Sequence, residues 1–155
     1  MDDGGEPIPL APEEARLLDE VLDAVVPPSE DGRLPGAGAL GTAATLRRRA
    51  SGDAALRATL QQGLAVLASR LGQRGLSALP PAERIATLES LGSDVPGFLP
   101  SIVFHAYTAY YQHPRVLDGL GLPGRPPFPE GYDLEPGDLA GLAKVRARGR
   151  LYREV

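Results

Sequence analysis

Few side chains in this sequence could do chemistry. His105 and His113 are its two imidazoles, and there is no cysteine. Two imidazoles joined by a carboxylate could hold a divalent metal or relay a proton. On one continuous helix their spacing would set them on roughly the same face but about 12 Å apart, too far to share an ion without a bridging acid. No HExxH or comparable ligand spacing surrounds either ring. His105 shares a helical face with Ser101, Thr108 and Gln112, which predicts a polar side, and His113 precedes Pro114, where a helix boundary is expected. Asp19, Glu20 and Asp23 cluster in the first helical segment. A catalytic carboxylate pair also needs an acid from another element and a cleft, so these three read as a solvated helix face.

Two further groupings come to little. Arg47, Arg48 and Arg49 lie inside the chain with no adjacent apolar run of the kind a twin-arginine leader carries, and they read as a solvated or partner-facing surface. Gly36, Gly38 and Gly41 are spaced loosely like a phosphate loop, but no strand-like run precedes them and no Lys-Ser/Thr pair follows. No catalytic, cofactor-binding or metal-binding residues are therefore assigned. A small metal-binding enzyme built on His105 and His113 is the rival reading, and an interaction module unrelated to redox chemistry is a third.

The elements that must position these residues are helices. Pro12 suits a first helical position, Glu13 and Glu14 suit the positive end of its dipole, and Leu17, Leu18, Val21, Leu22 and Val25 form a stripe. Residues 27–36 are loop by composition, with a turn at Asp31–Gly32. A helix of small residues follows, and Gly38 and Gly41 weaken it unless close packing requires them. The clearest helix begins at a Ser51 or Asp53 cap, carries Leu56, Leu60, Leu64, Leu67 and Leu71, and ends at Gly72 or Gly75. Pro80 and Pro81 open another, with Ile85, Leu88 and Leu91 before Gly92. Residues 96–114 predict a helix presenting Leu99, Ile102, Val103, Ala106, Tyr107 and Tyr110 to a core, and Pro114 starts a last short one. The expected fold is all-α: an irregular bundle of five or six helices over residues 11–121, a flexible acidic N-terminus at 1–10, and an extended Pro/Gly-rich arm at 122–155.

At 155 residues and 43% hydrophobic, the chain can build an ordinary core. A net charge of −4 argues against general nucleic-acid binding. No apolar run approaches the roughly 18 residues that cross a bilayer, so no membrane insertion is expected. The first residues, MDDGGEPIPL, lack the pattern of a signal peptide. The sequence as it stands reads as cytoplasmic, and as periplasmic if a leader has been removed or the partner is exported.

What remains is the aromatic and proline-rich stretch AYYQHPRVLDGLGLPGRPPFPEGYD. Adjacent helical residues point about 100° apart, so Tyr110 and Tyr111 cannot both be central core. One packs inward while the other meets the arm or a partner, or both brace the arm. The expected docking surface comprises Tyr110, Tyr111 and the arm from Pro123 to Tyr132, with Phe128 and Tyr132 as anchors.

The VVP that ends the first helix, followed by DGRLPGAGALG, resembles an element near the start of the gluconate 2-dehydrogenase subunit 3 family. Tyr-Tyr followed by His-Pro, then LDGLGLPG and PPFPEGYD, is similar to that family's ending, and the resemblance spans roughly residues 15–133. It implies a small helical accessory subunit of a large FAD-dependent sugar or polyol dehydrogenase of the glucose-methanol-choline oxidoreductase type. In such complexes a multihaem cytochrome c often accepts the electrons, and the flavin and catalytic bases belong to the large subunit. The expected function is thus a non-catalytic subunit that binds and stabilises that partner.

Overall fold

Leu18, Val21 and Leu22, all fully buried, show how the first segment enters the core. They lie on α1 (Pro12–Val25), whose start is fixed by Pro12 and by the Glu14 carboxylate accepting the Ala11 N–H at 3.0 Å. The computed structural model describes residues 5–124, 131, 137 and 142–148. The remaining helices are α2 (Thr42–Gly52), α3 (Ala54–Leu71), α4 (Pro81–Ser90), α5 (Phe98–Tyr110), α6 (Pro114–Gly119) and the four-residue α7 (Ala143–Arg146). No strand occurs among the described residues. The chain is all-α, as the absence of period-two alternation predicts.

Two compact units are distinguished, Met1–Arg125 and Pro126–Val155. In the first, α5 packs against α1, α2 and α3. Phe98, Ile102, Ala106 and Tyr110 form its buried row at successive i, i+4 positions. Leu60, Leu64 and Leu67 of α3 and Leu46 and Ala50 of α2 complete the centre with Leu88, Leu91 and Val116. Each fully buried leucine, isoleucine, valine or phenylalanine here is worth about 1.5–3 kcal/mol over its exposed state. In the second unit, α7 is short and leaves Val145 exposed.

Local chemistry sets the helix ends. Asp53 is the cap of α3: its Oδ1 accepts the N–H groups of Ala55 and Leu56, both at 2.9 Å, and Gly72 closes the helix. The small-residue segment splits. Gly38–Leu40 form one 3₁₀ turn, Gly41 turns left-handed at φ 70°, and α2 begins after it. Gly38 lies so close to α1 that a Cβ there would collide with the Asp19 backbone carbonyl. Gly63 of α3 lies directly against the Phe98 ring. Close packing thus requires Gly38 and Gly63, whereas Gly41 serves its left-handed turn.

Some expectations are corrected. Residues 5–10 of the N-terminal segment are tied down: Ile8 joins the core, its N–H donates to the Arg47 carbonyl at 3.2 Å, and Arg47 Nε donates back to the Ile8 carbonyl at 2.8 Å. Tyr107, expected to face the core, is exposed. Of the arm, residues 122–124, 131, 137 and 142–148 are described, whereas Phe128 and Tyr132 lie outside the described residues.

Candidate docking surface

The row Phe98–Ile102–Ala106–Tyr110 fixes the rotation of α5, and with it the face turned outward. Phe104, Tyr107 and Tyr111 follow at i, i+3 and i+7, so they form an outward stripe. Their exposures of 63%, 43% and 47% are high for large aromatic side chains. The Tyr107 and Tyr111 rings are stacked, with centroids 5.8 Å apart and planes 4° apart, and Tyr111 also meets Tyr110 edge-on at 5.2 Å. Stacking on one another makes the two outer tyrosines a stiffer platform than separate side chains. Just after α6 in the chain, Leu120, Leu122 and Pro123 are also exposed. Its end is a Schellman closure: Gly121 is left-handed at φ 72°, and the Leu122 N–H reaches back to the Leu117 carbonyl at 2.8 Å.

Tyr110, expected in the docking surface, belongs to the core instead. It is 2% exposed, and its hydroxyl donates to the Pro35 carbonyl at 2.8 Å. Burial, with Tyr111 adding to it, raises the pKa of this phenol above its ordinary value. The bond has a wider meaning: it ties the end of α5 to the proline-glycine loop more than seventy residues earlier. Gly119 of α6 sits against Leu34 of the same loop. The end of α5 and the end of α6 therefore both meet the loop that carries Leu34 and Pro35. Ser29 organises that loop from within, donating its N–H to the Leu34 carbonyl and accepting the Leu34 N–H, both at 2.9 Å. Hydrogen bonds from Ser29 and then from Arg33 hold the Asp31 carboxyl down to about 2.

The charged groupings also have partners. Asp23 Oδ1 accepts the N–H of Gly38 at 2.7 Å, and Glu20 accepts the N–H of Ser77 at 3.1 Å, so the acidic cluster fastens two loops rather than merely facing solvent. Asp19 is raised above its ordinary value of 3.8 by partial burial and then by Asp23, while Arg47 works the other way. The arginine triplet divides its roles: Arg47 holds the N-terminal segment, and Arg49 faces His105 of α5 at 3.5 Å. His113 caps α6, its Nδ1 accepting the Arg115 N–H at 3.2 Å. The two histidines lie on separate elements, since α5 ends at Tyr110. No group of three or more histidine, cysteine, aspartate or glutamate side chains arranged to hold a metal is found among the described residues. None of the described helices is long and apolar enough to cross a membrane.

Of the residues expected at the docking surface, Tyr111 and Pro123 are exposed and Tyr110 is not. Phe104 was missed by sequence reasoning, and Tyr107 was assigned to the wrong side. The usable signal was the i, i+4 row from Phe98 to Tyr110, which by elimination puts 104, 107 and 111 outside. In comparisons with known proteins, no family model, curated protein or solved structure matches the chain.

Proposed function

We propose that this protein is a non-catalytic subunit that docks on and stabilises a larger FAD-dependent oxidoreductase of the glucose-methanol-choline type, through the Phe104–Tyr107–Tyr111 stripe. The observation that carries the docking role is the stripe itself: three large aromatic side chains on one helix face remain exposed to water. Isolated exposed apolar residues are ordinary on a protein surface, but an aligned aromatic row fits the anchors that dominate protein interfaces. The flavin partner comes from the sequence resemblance, and Tyr110 of its second stretch is hydrogen-bonded to Pro35 of its first. In this reading the flavin and the catalytic groups reside in the partner, and the present chain contributes shape and apolar contact.

The test is co-purification from the native host, with flavin absorbance and mass spectrometry of the captured protein. Wild type is expected to bring down a flavoprotein. A Phe104→Ala/Tyr107→Ala/Tyr111→Ala variant should lose it while melting within a few degrees of wild type. Capture of a flavin-free partner through the same face would overturn the oxidoreductase assignment and leave the docking role. Undiminished capture by the variant would overturn the face.

A further inference from the structure

Where α2 packs on α5, the Arg49 guanidinium Nη1 lies 3.5 Å from the His105 Nδ1. A guanidinium can only donate, so this contact needs a lone pair on Nδ1 and leaves the imidazole proton on Nε2. Both side chains are partly buried. None of the ion pairs among the described residues involves Arg49. The charged groups that bear on His105 are Arg49 from α2 and Asp53 from the cap of α3. Asp53 is already engaged with the N–H groups of Ala55 and Leu56. On its own helix, His105 meets the Phe104 ring edge-on, with centroids 5.1 Å apart and planes 82° apart.

We propose that the Arg49–His105 contact is a proton-sensitive joint between α2 and α5, closed by the neutral imidazole and opened by the imidazolium. A proton taken from solvent onto Nδ1 turns the acceptor into a second donor facing a permanent cation. Asp53 offsets this only in part, because its carboxylate serves the cap of α3. Burial first, and then the Arg49 charge, hold the ring's pKa below its ordinary value of 6.5. A depressed pKa means that the stabilisation is fully present above pH 6.5 and is lost as pH falls through the folded-state value. Because the His105 ring touches Phe104, opening the joint moves an aromatic of the outward stripe as well. The joint stands on the geometry of α2 and α5 and does not depend on the docking reading.

The experiment is an NMR pH titration of the labelled full chain, following the His105 ring and the amides of Arg49 and Phe104. The expected midpoint for His105 lies below 6.5, and both amides should titrate with that same midpoint. Arg49→Met should move the midpoint upward, and His105→Gln should abolish the shared transition. A midpoint at or above 6.5, a midpoint that Arg49→Met leaves in place, or amides that stay still through the transition would each overturn the joint. Should His105→Gln fail to fold, the Arg49→Met titration decides alone.

Discussion

Replacing Gly63 with alanine sets two opposed effects against each other inside one helix. Alanine gains about 0.8–1.0 kcal/mol over glycine in a helix interior, so on propensity alone Gly63→Ala should stabilise α3. The tertiary structure predicts the reverse. A Cβ at this position would collide with Cγ, Cδ2 and Cε2 of the Phe98 ring. Phe98 is fully buried, so its ring has no open space to move into. Overpacking a filled core costs roughly 1–3 kcal/mol, and a clash with several ring atoms belongs at the upper end. Setting about 3 against about 1 leaves a net loss of ~2 kcal/mol. With a urea slope of about 1–3 kcal/mol/M, the unfolding midpoint should fall by on the order of 1 M. Urea titration followed by far-ultraviolet circular dichroism measures this directly. Phe98→Leu supplies the control, because a smaller side chain makes room and Gly63→Ala should then be neutral or stabilising in that background. A single Gly63→Ala variant as stable as wild type, or more so, would refute the close approach of α3 and α5.

Three further outcomes are expected. Tyr110→Phe removes the donor to the Pro35 carbonyl, at a cost of ~1 kcal/mol; an unchanged melting temperature would mean that this bond does not hold the loop. Asp53→Ala uncaps α3 and should also cost ~1 kcal/mol, with faster amide exchange at Ala55 and Leu56; equal exchange at both sites would refute the cap. Asp19→Asn runs against the habit that removing a charge destabilises. The folded-state pKa of Asp19 is raised above 3.8, so the folded chain binds a proton more readily there than the unfolded chain does, and the stability this gives is lost as pH rises through the folded pKa. Asp19→Asn should therefore raise the melting temperature at pH 7, with the gain shrinking as pH falls toward 3.8; a variant that melts lower at pH 7 contradicts this account.

Much of this architecture was legible because it depends on neighbours in sequence. Pro12, Pro81 and Pro114 start helices for reasons confined to their own backbone, and Asp53 and Gly72 bound α3 in the same way. The α5 helix was legible as a helix but not in its rotation. Apolar residues occupy more than one of its faces, and hydropathy cannot say which of Tyr107 and Tyr110 a neighbour covers. That choice rests on Pro35, which receives the Tyr110 hydroxyl from across the fold. For the same reason the acidic cluster read as a solvated face. The amides of Gly38 and Ser77 that it holds come from distant segments.

By itself, then, the sequence determined the all-helical class, most helix boundaries and the leucine rows of α1 and α3, because caps, turns and helical periodicity are set within a few residues of the chain. Only the tertiary structure decided that Ile8 is pinned to α2, that Gly63 must make way for Phe98, and that Phe104, Tyr107 and Tyr111 face outward while Tyr110 faces in. Each of these depends on which surface lies opposite. That surface is built from residues far along the chain, and its shape exists only once the helices have packed.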